Sequence, residues 1–271
     1  DEIVSFFAGV AYRHLIKIKE GNKNIHCTPP HDVPGTAFRD VLVKATDVSG
    51  EKTAQLLNDL IMRSQKFLEN HPVNLKRAAE DKDKANSIWP WSPGYKPAMQ
   101  TMRELYGLKS GTVISAVDLV RGIGVYAGLK TRLVEGATGL YNTNYEGKAQ
   151  AAIEALKTDD FVFLHVEASD EAGHEGDVNL KIKTIEYLDQ RIVKPIFEEV
   201  SKWNEPVTIA VLPDHPTPCA KRTHTADAVP FTIYRPGEAG DKVQIYDEFS
   251  CQLGDYGVLR EKEFIHAFFK K

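Results

Sequence analysis

Apolar positions along the chain fall into two textures that meet near residue 90. The first begins with a β-rich run, IVSFFAGVAYRHLIKIKEGNK, which ends in a polar turn at Gly21-Asn22. A loop containing Pro29, Pro30 and Pro34 follows, so residues 1–48 read as short strands. Residues 51–69 then change period. Leu56, Leu57, Leu60, Ile61, Phe67 and Leu68 recur at helical spacing with charged residues between them, and Pro72 discourages continuation. The segment 86–97, NSIWPWSPGYKP, holds three prolines, a glycine and two tryptophans and marks a boundary.

Beyond it, apolar runs at 111–115, 160–166 and 207–212 alternate with helical patterns at 97–106, 117–128, 146–157 and 178–203. In the last of these Val178, Ile182, Ile185, Leu188, Ile192 and Ile196 share a face, and Pro195 predicts a kink. Continuous apolar strands separated by helices predict an α/β fold, a mostly parallel sheet sandwiched by helices. The expected domains are a smaller α+β unit over 1–88 and the parallel-sheet unit over 89–271.

Composition narrows the function. The 271 residues are 42% hydrophobic and 27% charged, with a formal net charge of −4. The sequence pI of about 6.2 argues against a nucleic-acid surface, which shows as a basic excess. It leaves room for a small anionic ligand. No run approaches the roughly 20 apolar residues that span a bilayer, and no secretory signal is visible. The three cysteines, Cys27, Cys219 and Cys251, are far apart and form no Cys-x-x-Cys pair. A reducing cytoplasm fits them best. Nothing in the sequence sets an oligomeric state.

The candidate chemistry lies just past the predicted strands. FVFLHVEASDEAGHEGD places Asp170 and His174 after one strand, and TIAVLPDHPTP places Asp214 and His215 after another. KRTHTADAVPF adds His224 ahead of a strand at 230–234. Open parallel sheets bind ligands at the carboxyl ends of their strands, so these residues share one edge. Two carboxylates and three imidazoles suit a divalent ion. The acids neutralise its charge, and the nitrogens favour manganese, zinc, cobalt or iron over calcium. Two ions about 4 Å apart could clamp both oxygens of a phosphoryl transfer. Taken singly, Asp170 could cap a helix and each histidine could be a hydrogen-bond partner. His165 alternates within its strand and reads as packed or supporting. No Gly-x-x-x-x-Gly-Lys-Ser/Thr motif is present, and RGIGVYAG is no dinucleotide fingerprint, so no nucleotide is expected. Gly122, Gly124 and Gly128 read as helix-packing or helix-end glycines.

These segments resemble a known family. DEAGH, PDHPTP and THTADAVPF are similar to the metal motifs of the cofactor-independent phosphoglycerate mutases, within the alkaline phosphatase superfamily. YRHL, PPHD, VISAVDLVRGIGVYAGL and EGATGLYNTNYEGKA resemble its archaeal-type branch. The resemblance implies an alkaline-phosphatase-like core carrying an inserted cap domain. It implies interconversion of 2- and 3-phosphoglycerate through a phosphoserine, with two divalent ions (Mn, Zn, Co or Mg) and no bisphosphoglycerate. The expected substrate is a small phosphorylated hydroxy acid, with no nucleic acid or membrane partner. The alternative is a metal-dependent phosphatase or phosphodiesterase of the same superfamily.

Residue by residue, Asp170, His174 and His224 match the ligands of one ion, and Asp214 and His215 match two ligands of the other. Arg13, His31 and His14 are the expected anion-binding residues of the cap. The nucleophilic serine and an N-terminal aspartate of the family have no counterpart here. The chain, which opens on Asp1-Glu2, is therefore expected to lack an N-terminal part and to be inactive alone, with its second metal site weakly held.

Overall fold

The computed structural model describes residues 3–9 and 14–270. They fall into two compact units, Asp1–Pro97 and Ala98–Lys271. The division falls at Pro97/Ala98, nine residues beyond the 88/89 boundary expected from composition. The proline-rich segment belongs to the first unit because Trp89 packs on that unit's core and its indole N–H donates to the Thr28 carbonyl (2.8 Å).

In the first unit, β1 (Val4–Phe7) pairs antiparallel with β2 (Leu15–Ile18), Val4 opposite Ile18. A second antiparallel pair joins β3 (Ile25–His26) to β4 (Lys44–Ala45). The predicted helix is α1 (Glu51–Glu69), which buries Ala54, Leu57 and Ile61 at helical spacing. These residues pack with Ile25 and Val43 into one core. Pro72 ends α1 and opens α2 (Pro72–Ala79), with His71 as a side-chain cap.

The second unit starts with α3 (Met102–Tyr106), shorter than the expected 97–106, and closed at its start by a Thr101/Glu104 capping box. Its sheet has β5 (Thr112–Ile114) at the centre, flanked in parallel by β6 (Lys130–Arg132) and β7 (Val162–Leu164). Neighbouring residues of β5 point to opposite faces. Val113 meets Gly124 of α4 (Asp118–Tyr126), while Ile114 packs on Ala151 and Ala152 of α5 (Tyr145–Leu156). Each face of the central strand is thus covered by a helix, the expected α/β sandwich.

After β7 come α6 (Ala168–Glu175) and α7 (Val178–Leu188), a π turn at Asp189–Val193, and α8 (Lys194–Val200). The 178–203 pattern is helical without a gap from Val178 to Val200, and a π turn stands where the kink at Pro195 is expected. It precedes Pro195, which sits in the first turn of α8, where its missing N–H costs least. Strand β8 (Ile209–Val211) pairs antiparallel with β9 (Thr232–Tyr234) as a separate ribbon. The chain closes on α9 (Glu263–Phe269). Among the described residues no helix is long and apolar enough to cross a membrane.

Candidate metal centre

Short connections after β7 and β8 build the site. Three residues separate Leu164 from α6, whose first turn carries Asp170 and whose last turn carries His174. Being four apart on a helix, these two share a face, and His174 Nε2 lies 3.3 Å from Asp170 Oδ2. Strand β8 runs out through Pro213 to Asp214 and His215, whose side chains approach to 3.5 Å. The loop that follows folds back, with the Thr225 N–H donating to the Pro216 carbonyl (3.1 Å), and so returns His224 to the same place.

Asp170 is the centre. Its Oδ1 lies 3.5 Å from His224 Nε2 and 4.0 Å from His215 Nδ1. His174 Nε2 and His224 Nε2 are 3.1 Å apart. The His215 and His224 rings overlap with centroids 3.7 Å apart. All five residues matched by motif are therefore brought together, with Asp214 the most exposed. Asp170, His215 and His224 also form a three-donor set whose ligand atoms lie within 4.8 Å of one another. It takes one member from the second motif pair, so the two expected ligand groups adjoin without a gap. Convergent nitrogens around a carboxylate fit a borderline divalent cation.

The orientation of His174 follows from its other neighbour. Nδ1 lies 3.1 Å from the Arg222 carbonyl, which can only accept, so Nδ1 carries the proton and Nε2 keeps its lone pair. Arg222 holds a left-handed backbone (φ 55°) at a cost on the order of 1 kcal/mol. Its guanidinium also packs against Gly176, where a Cβ would collide with it.

A buried polar layer lies beneath. His165, expected to be supporting, has Nδ1 3.2 Å from Ser115 Oγ and Nε2 3.4 Å from Glu167 Oε2. Burial pushes its imidazole pKa down, against the opposing pull of Asp214 and Asp170. Burial likewise pushes the Glu167 carboxyl up, helped by Asp170, Glu171 and Asp214. Lys148 is fully buried in α5 and donates to the His165 carbonyl at 3.3 Å. Burial lowers its ammonium to about 8, with Glu167 opposing.

Lys148, Glu167 and Thr217 sit inside the segments quoted above but are not singled out there. Thr217 is 3% exposed, and its hydroxyl donates to Asp170 Oδ1. A lysine in a helical pattern and a threonine in a polar loop both look solvated in a sequence, and no spacing rule marks them. Of the expected cap residues, Arg13 lies outside the described residues. His31 falls in the 3₁₀ turn Pro30–Asp32. His14 is exposed, its Nδ1 accepting from the Gly9 N–H (3.1 Å). His14 and His31 belong to the first unit.

A helix-flanked parallel sheet, with a carboxylate–imidazole cluster assembled past its strand β7 and past β8 of the separate ribbon, defines the class, an α/β metal-handling enzyme core. Comparison with known families agrees. Residues 19–263 match the Metalloenzyme superfamily, and the chain belongs to it. Membership implies use of a divalent metal.

The relatives are specific. A Methanosarcina acetivorans protein named 2,3-bisphosphoglycerate-independent phosphoglycerate mutase is 51% identical over 97% of this chain. A Geobacter sulfurreducens protein carrying the same name as probable is 47% identical over 91% of the chain. The chain spans 65% of the first relative's length and 60% of the second's. Among solved structures, a Pyrococcus horikoshii protein superposes with a TM-score of 0.70 at 34% identity, covering 78% of this chain and 54% of its own. A cofactor-independent phosphoglycerate mutase from Thermoplasma acidophilum gives a TM-score of 0.58 at 24% identity, covering 91% and 58%, and supports the fold.

Proposed function

We propose that this chain forms the metal-binding part of a phosphoglycerate mutase that interconverts 2- and 3-phosphoglycerate without bisphosphoglycerate. One observation carries the reading: Asp170 meets His174, His215 and His224, three imidazoles drawn from two separate segments. The names of the relatives supply the substrate.

In this reading Asp170, His174 and His224 hold one divalent ion, and Asp214 with His215 contributes to a second. The ions, manganese, zinc, cobalt or magnesium, supply Lewis acidity toward phosphoryl oxygens. The carboxylates of Asp170 and Asp214 neutralise cation charge, and the imidazoles fix its place. Arg13, His31 and His14 bind the carboxylate and phosphate of the hydroxy acid, Arg13 by forked recognition. The phosphoryl group passes through a seryl ester. No residue of this chain matches that serine, so the 271 residues alone should show no turnover.

The test joins the chain to the segment that its relatives carry and supplies 3-phosphoglycerate with Mn²⁺. Appearance of 2-phosphoglycerate by ³¹P NMR, lost by more than about 100-fold in Asp170→Asn, is the expected result. Release of free phosphate in its place would assign the protein to the hydrolases of the superfamily. Turnover by the 271 residues alone would refute the missing nucleophile.

A further inference from the structure

We infer that Thr217 is a positioning residue of the metal centre: its hydroxyl fixes the proton of His215 on Nδ1, so that Nε2 is the nitrogen offered to metal. This rests on the reading of the cluster as a metal site.

The argument is a count of protons. Thr217 is buried, and its hydroxyl has two polar neighbours in the cluster, Asp170 Oδ1 and His215 Nδ1 at 3.3 Å. A hydroxyl has one proton to give. A carboxylate can only accept, so that proton goes to Asp170. The remaining contact then requires the ring to donate: His215 Nδ1–H points at the Thr217 oxygen. The neutral ring is left with its lone pair on Nε2; Asp214 Oδ2 stands 3.5 Å from that atom, beyond good hydrogen-bond distance, so it does not claim the proton and the two form a donor pair for a cation. Free histidine prefers the opposite tautomer, so the threonine works against the intrinsic bias of the ring. The Arg222 carbonyl does the same for His174. One side chain thereby couples a ligand from the β7 side to a ligand from the β8 side.

Thr217 is itself held independently of any ion. Its carbonyl accepts from Lys181 Nζ at 2.5 Å. Its backbone can approach α6 because position 173 is glycine. A Cβ there would collide with the Thr217 carbonyl and come within 2.9 Å of its Cγ2. The glycine within DEAGH thus admits the threonine within PDHPTP.

The experiment uses the metal-free, ¹⁵N-labelled 271-residue chain at a pH where the ring is neutral. Two-bond ¹H–¹⁵N spectra report the tautomer, with His215 assigned by the signal missing in His215→Gln. The wild type should show Nδ1–H. Thr217→Val, which keeps the shape and removes the hydroxyl, should move the ring toward Nε2–H. The same substitution should weaken Zn²⁺ binding about 10- to 100-fold by calorimetry. Thr217→Ser should preserve both. An Nε2–H ring in a wild type that binds Zn²⁺ overturns this inference alone, and needs no variant to fold. So does a folded Thr217→Val chain with unchanged tautomer and affinity. A wild type that binds neither Zn²⁺ nor Mn²⁺ overturns the metal reading and the positioning role with it.

Discussion

His174 Nε2 and His224 Nε2 stand 3.1 Å apart although 50 positions separate them in the chain. The Arg222 carbonyl takes the Nδ1 proton of His174. The proton between the two rings must then come from His224. A cation entering here has to break this contact, and a neutral His224 then offers Nε2 with its proton on Nδ1. His224→Ala should lower Mn²⁺ or Zn²⁺ affinity by more than about tenfold in calorimetric titration, since even supporting residues of metal sites cost that much.

Asp159 tests how the sheet unit is stabilised away from the site. Its carboxylate is buried, accepts from Thr112 Oγ1 at 2.6 Å, and pairs with Lys130 at 2.6 Å. Burial pushes its pKa up, but hydrogen bonds from Lys130, Thr112 and Ser110 and the Lys130 charge outweigh this and hold it below the ordinary 3.8. The unfolded chain thus binds the proton more readily, and the contribution is lost as pH falls below about 4. Asp159→Ala should cost about 2 kcal/mol in urea unfolding at pH 7, because the Thr112 hydroxyl loses its acceptor. The gap from wild type should narrow at pH 3.

Lys148 has the opposite pH sense. With its ammonium at about 8 in the fold against 10.5 ordinarily, the unfolded chain holds the extra proton between those values. Stability conferred at this position must rise with pH through that window. Metal-free wild type should gain on Lys148→Met by roughly 1 to 3 kcal/mol between pH 8 and pH 10.5. Paired urea titrations at the two pH values would measure the difference, and a constant gap would refute the buried charge.

Two glycines of α4 should answer alanine in opposite directions. A Cβ on Gly124 would come within 2.9 Å of Val113 Cβ, so Gly124→Ala overpacks β5 and should cost about 1–3 kcal/mol. A Cβ on Gly122 meets nothing within 4 Å, so Gly122→Ala should gain about 0.5–1 kcal/mol from helix propensity. Thermal melts of the two variants would separate a packing glycine from a merely permissive one.

The sequence was most legible where the determining forces are local. Helix α1 matches its predicted bounds because one amphipathic stripe and one proline specify it. Strand β6 escaped because Lys130, Thr131 and Arg132 form a polar edge strand with no apolar run. Helix α6 escaped because its residues are chosen for chemistry, and ASDEAGHE has no stripe to read. The close approach of Asp170 and His174 rests on their spacing of four, one helical turn, which the sequence carries even without a stripe. The meeting of Asp170 with Thr217 was not readable, since a hydroxyl in a polar loop has no periodicity and only the return of the chain brings it there.

The π turn at Asp189–Val193 makes chain length itself a specification. It stores one residue more than an α turn would. Ile192 and Ile196 therefore reach the cores around Tyr145 and Ala151 only at the present count. A three-base deletion there would keep the reading frame, yet it would swing everything downstream by roughly 100°. Genetic drift can exchange letters in this helical run far more freely than it can shorten it.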